Sequence, residues 1–136
     1  MKVTLQRKND AYWFQGTGKN PVPIDIDNGT NGASPMELLL MGVGGCSAVD
    51  IVSILTKQRQ KITNYDMEVL GERTEMRQAK PFTSIHVTIN LEGTIDTLKA
   101  KKAADLSFQK YCSVSLTLEP QVPITYTVIV NGVKVE

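Results

Sequence analysis

The stretch from residue 34 to residue 55 is the longest apolar run in the chain, and it limits the available folds more than any other feature. It opens on Ser34-Pro35-Met36-Glu37, a helix-start pattern. Ser34 can accept from the Glu37 N–H, Pro35 suits the first helical position, and Glu37 can reach back to the Ser34 N–H. Gly42, Gly44 and Gly45 follow, each costing up to about 1 kcal/mol relative to alanine in a helix interior. This cluster predicts a kink or break, with a first helix from Pro35 to about Met41 and Cys46 at or near the start of a second segment. That segment is apolar at Ala48, Val49, Ile51, Val52, Ile54 and Leu55, nearly all round. A helix of that kind is buried, either in a domain core or between subunits. The glycines, Ser47, Asp50 and Ser53 interrupt the run, which argues against a membrane span.

The flanking segments predict a mixed α+β protein, a single domain over residues 1–136. Residues 2–6 and 11–15 alternate around Lys8-Asn9-Asp10 and read as a hairpin. Residues 21–27 can form a third strand, which Pro21 and Pro23 restrict to an edge or an end. Lys57, Arg59 and Lys61 place cations after the long helix, where its dipole favours them. Residues 65–75 and 82–92 suit a long antiparallel hairpin, with Ile85, Val87, Ile89 and Leu91 on one face. Residues 94–109 read as a second helix, with Thr94 or Asp96 near its cap and Leu98, Ala103 and Leu106 at helical spacing. Residues 112–118 fit one helical segment or a strand. Asn131-Gly132 between apolar runs is a strong hairpin signal.

Several function classes fall away. A formal net charge of +1 gives no electrostatic reason to expect nucleic acid or an anionic membrane as a partner. The N-terminal residues are polar and alternating rather than signal-like, so the chain reads as cytoplasmic. Its one histidine, His86, lies on the polar face of a strand, which disfavours a histidine-based zinc site or a Ser-His-Asp triad. Gly42-Val43-Gly44-Gly45 lacks the ending of a phosphate loop. No metal or resident cofactor is expected.

Two cysteines remain. In a reducing compartment they are free or do redox work. A cysteine is most often a small buried apolar residue. Here Cys46 follows Gly44-Gly45 and Cys112 follows Tyr111, and each precedes a serine and an apolar run. Each could therefore sit at a helix start with N–H groups aimed at its sulfur.

These residues resemble the OsmC/Ohr family, the osmotically induced and organic hydroperoxide resistance proteins. The likeness spans essentially the whole chain. Its carriers are Ser34-Pro35-Met36-Glu37-Leu38, Gly44-Gly45-Cys46-Ser47-Ala48-Val49-Asp50 and Lys110-Tyr111-Cys112-Ser113-Val114. The glycine-cysteine version looks like the YhfA-type branch rather than the best-studied peroxidases. The resemblance implies antiparallel sheets with two central helices in an intertwined homodimer, and reactive sites where the subunits meet. It also implies peroxiredoxin-like chemistry for oxidative stress defence. Cys46 would attack an apolar organic hydroperoxide, Cys112 would resolve the sulfenic acid to a disulfide, and an external dithiol would reset the pair.

Two positions depart from the peroxidase pattern. Met36 stands where those enzymes keep a glutamate, and Glu37 either substitutes for it or completes the capping box. The peroxidases also use an arginine in the loop before this helix to hold the thiolate, and none occurs between Lys8 and Glu37; Arg7, Arg59, Arg73 or Arg77 would have to supply the missing charge. The alternative reading is a non-catalytic or redox-sensing small-ligand-binding protein on the same fold.

Overall fold

The computed structural model describes residues 1–75 and 78–136. It contains two compact units, Met1–Leu39 and Leu40–Glu136. The mixed α+β class expected from the sequence is what the chain adopts.

The first unit carries a three-stranded antiparallel sheet of β1 (Thr4–Arg7), β2 (Phe14–Thr17) and β3 (Ile24–Ile26), in that order. Asn9 organises the β1–β2 turn, its side-chain oxygen accepting from the N–H groups of Ala11 at 3.0 Å and Trp13 at 3.2 Å. Side-chain amides are suited to this turn-closing role. The Arg7 guanidinium donates to the Asp10 and Ala11 carbonyls. As the prolines require, β3 is an edge strand. Asp27 then ties the following loop together, accepting from the Asn28 N–H and from both the backbone and side chain of Asn31.

Helix α1 (Pro35–Lys57) follows. Its capping box forms as the sequence predicts, with Ser34 N–H to Glu37 Oε1 at 2.9 Å and Glu37 N–H to Ser34 Oγ at 3.2 Å. The predicted break at the glycines does not occur. The helix runs unbroken for 23 residues, because packing outweighs propensity. Val43, Ile51 and Leu55 are each fully buried, and each contributes roughly 1.5–3 kcal/mol against a glycine cost of up to about 1 kcal/mol apiece. Gly44 is a contact point: a Cβ there would lie 2.9 Å from Met67 Sδ and 3.0 Å from Val69 Cγ2. A single chain covers only one side of this apolar segment. Val49 and Val52 are exposed on the opposite side of α1. The helix is long and apolar enough to cross a membrane by length and composition, but its buried stripe belongs to the core of the second unit.

That unit's sheet runs β4 (Lys61–Arg73), β5 (Phe82–Thr94), β6 (Ile124–Val130), β7 (Val133–Val135). The β4–β5 pair is the long antiparallel hairpin read from the sequence. Ile85, Val87, Ile89 and Leu91 of β5 point into the core, each at most 1% exposed. His86 faces the other way, its ring nitrogens at 2.7 and 3.0 Å from the Thr125 and Thr127 hydroxyls. β6 lies parallel to β5, and parallel neighbours need a long crossover. Here that crossover is helical: α2 (Thr97–Leu106), a π-helical turn at Ser107–Tyr111, and α3 (Ser113–Leu118).

Asp96 caps α2, accepting from the N–H groups of Leu98 and Lys99. The residues that α2 buries are Ala100, Ala103 and Ala104, whereas Leu98 is exposed. Small side chains set the close approach there, a choice that hydrophobic spacing alone does not reveal. Asn131 and Gly132 take positive φ of 50° and 82°, closing the β6–β7 hairpin as a two-residue primed turn does.

Candidate functional site

The unbroken α1 changes the setting of Cys46. The thiol stands mid-helix and half-buried rather than at a helix start. The helix N-terminus does reach a cysteine, but it is Cys112. Cys112 is the N-cap residue of α3, and its sulfur accepts from the Ser115 N–H at 3.5 Å and the Ser115 hydroxyl at 3.1 Å. Its own N–H is bonded to the Ser107 carbonyl at 2.7 Å, closing the π-helical turn that aims it. Such turns are often found at functional sites.

The two thiols meet. Cys46 Sγ, Cys112 Sγ and a carboxylate oxygen of Asp50 all lie within 4.8 Å of one another. Both cysteines are free. Closing a disulfide would bring the sulfurs together by at most about 2.8 Å, the difference between 4.8 Å and a bond of about 2.0 Å. Burial pushes the Cys112 thiol up, and the adjacent Cys46 sulfur adds to the rise, while the two Ser115 donors pull it down.

Asp50 closes the motif around Cys46 without a role read for it there, and Ser107 and Ser115 are site residues that motif reading does not single out. The signal for Asp50 is its spacing: four residues after Cys46, it shares a face with the thiol once the helix is continuous. Ser107 is fully buried, and its hydroxyl donates to Asp50 Oδ2 at 2.9 Å. Ser47, also fully buried, turns back on its own helix and donates to the Gly44 carbonyl at 3.0 Å. A cavity of about 320 Å³ adjoins Asp50, lined further by Ser53, Ile54, Lys57 and Tyr111.

Glu37 is used differently. Its carboxylate accepts the Ser34 N–H, and that bond, with the Ser34 hydroxyl contact, holds its carboxyl below the usual range. Among the arginines considered for the thiolate, Arg7 is bonded to its own turn and Arg73 donates to the Lys80 carbonyl. Arg59 is exposed just past the end of α1, in a left-handed conformation at φ 59°. Arg77 lies outside the described residues.

Residues 27–127 match the family model for OsmC-like protein, and the chain belongs to the OsmC-like family. Within it, the chain is similar to Protein YhfA of Escherichia coli K12, with 41% identity over 120 residues covering 86% of this chain and 87% of the relative. Among solved structures, a hypothetical protein from Aquifex aeolicus VF5 superposes with a TM-score of 0.83 at 30% identity, covering 96% of both chains. The organic hydroperoxide resistance protein OhrB of Bacillus subtilis shares the fold at 21% identity and a TM-score of 0.62, covering 93% of this chain and 96% of its own.

Proposed function

We propose that this protein is a cytoplasmic, thiol-dependent peroxidase that reduces apolar organic hydroperoxides in oxidative stress defence. The observation that carries the reading is the convergence of Cys46 and Cys112 sulfurs within 4.8 Å. Fold relatives named for organic hydroperoxide resistance support the substrate class.

Exposure supports the division of roles that the family resemblance implies. Half-buried Cys46 is the attacker, and Cys112, fully buried with a raised thiol pKa, is the resolver. The Cys46 thiolate attacks the distal peroxide oxygen, the O–O bond breaks, and the leaving alkoxide takes a solvent proton to become the alcohol. Cys112 then attacks the sulfenic sulfur, forming the disulfide and releasing water. An external dithiol reduces the disulfide and is itself oxidised. The exposed apolar side of α1, with Met41, Val49 and Val52, is read as a homodimer interface rather than a lipid contact.

The test is turnover of an alkyl hydroperoxide with a dithiol, compared with hydrogen peroxide. The alkyl substrate should be consumed faster, and Cys46→Ser should abolish the reaction. Cys112→Ser should form one stable sulfenic acid without disulfide. Undiminished turnover by Cys46→Ser would refute the assignment.

A second reading, a redox-sensing or non-catalytic ligand-binding protein, is favoured by an apolar cavity of about 470 Å³ in the first unit, lined in part by Leu5, Tyr12, Phe14 and Ile26. Slow labelling of Cys46 with no peroxide turnover would select this reading.

A further inference from the structure

Peroxide reduction leaves Asp50 unexplained. A carboxylate oxygen within 4.8 Å of both sulfurs has no step in that reaction. Yet Asp50 is held in place by a buried serine, with Ser107 Oγ donating to its Oδ2 at 2.9 Å. Among the described residues Asp50 makes no ion pair. Two sulfurs and one carboxylate oxygen gathered this closely form a donor set that can hold a cation.

We propose that the reduced protein binds one Zn²⁺ through Cys46 Sγ, Cys112 Sγ and the Asp50 carboxylate. Two thiolates and one carboxylate suit a borderline-soft d¹⁰ cation, and three protein ligands with an open fourth position is a common zinc arrangement. Zinc bonds of about 2.3 Å to sulfur and 2.0–2.2 Å to oxygen, set tetrahedrally, put the donor atoms about 3.5–3.8 Å apart. The donors lie within 4.8 Å of one another, so side-chain adjustment of about 1 Å completes the site. Cys46 and Asp50 project from one continuous helix, and the π-helical turn fixes Cys112.

The surrounding hydrogen bonds are those a metal site uses. Ser107 orients the carboxylate, and the Ser115 N–H and hydroxyl donate to the Cys112 sulfur. Water can complete the fourth position from the cavity beside Asp50. Binding converts two thiols to thiolates and releases two protons. It engages both sulfurs, so the loaded form resists disulfide closure. This site goes beyond the peroxidase reading and does not depend on it.

The test is Co²⁺ titration of reduced, chelator-treated full-length protein under argon, followed by displacement with Zn²⁺. The expected result is a thiolate-to-cobalt charge-transfer band saturating at one equivalent, lost on adding Zn²⁺ and absent in Cys46→Ser. Asp50→Asn keeps both thiols and the shape of the side chain, and should weaken Zn²⁺ binding at least tenfold in chelator competition. Ser107→Ala should weaken it by about 10–100-fold. Circular dichroism confirms that each variant is folded. A folded wild type with no thiolate band would overturn the proposal, as would an Asp50→Asn protein that binds Zn²⁺ as tightly as wild type. Peroxide turnover is assayed separately on metal-free protein, so failure of either reading is recognised independently.

Discussion

Alanine at Gly44 and at Gly45 should change stability in opposite directions, although the two residues are neighbours in one helix. Each substitution gains about 0.8–1 kcal/mol of helix propensity. At Gly45 a Cβ meets nothing within 4 Å in its own chain, so there the propensity gain meets no intrachain penalty. At Gly44 it would sit 2.9 Å from Met67 Sδ and 3.0 Å from Val69 Cγ2, well inside the roughly 3.5–4.0 Å at which carbon atoms are comfortable. The end of the Met67 side chain can swing away, but Val69 is branched at Cβ and stiff on its strand. Overpacking of that kind costs about 1–3 kcal/mol. Gly44→Ala should therefore lie between neutral and about 2 kcal/mol destabilised, and Gly45→Ala about 1 kcal/mol stabilised. At roughly 4 °C per kcal/mol, the gap of about 1–3 kcal/mol separates their melting temperatures by about 4–12 °C. Urea titration and thermal melts of both variants measure it, and Val69→Ala should relieve the Gly44→Ala penalty in the double variant. Equal stabilisation by the two alanines would refute the close approach of α1 to β4.

Three further outcomes are expected. Asp96→Ala removes the acceptor for two N–H groups at the start of α2 and should cost about 0.5–2 kcal/mol; an unchanged urea midpoint would contradict the cap. Burial raises the Cys112 thiol and Cys46 adds to the rise, so in Cys46→Ser the remaining thiol should titrate lower than in wild type. Thiolate absorbance against pH reads that shift, and an upward movement would count against the sulfur–sulfur contact. In the first unit, hydrogen bonds from Trp13 and Gln15 hold the Asp25 carboxyl low, and those from Asn31 do the same for Asp27. Their folded values lie below the unfolded ones, so this stabilisation is complete above about pH 4 and lost as pH falls through the folded values. Asp27→Asn should flatten that acid loss in melts taken from about pH 2 to pH 6; a slope identical to wild type would sink the idea.

Local chemistry and periodicity carried much of the architecture. The Ser34–Glu37 box, the alternation of β5, the Asp96 cap and the Asn131-Gly132 turn each rest on contacts between near neighbours or on one repeating face, and such patterns are written in short windows of chain. The motifs around Cys46 and Cys112 were enough to indicate the family. What a short window cannot hold is the balance between a glycine's local cost and the distant surface that a helix buries. That balance turned an expected break into a continuous α1 and left Cys112 as the one thiol of the two at a helix start, as expected for it.

The site itself was a tertiary decision. Asp50 shares a face with Cys46 only because the helix continues, and Ser107 reaches Asp50 only because the crossover after β5 returns beside α1. The sequence by itself determined the class of elements, their order and the two thiols. Tertiary packing decided that a carboxylate stands beside both thiols and lines the nearby cavity, because convergence of residues far apart in the chain depends on which surfaces bury together.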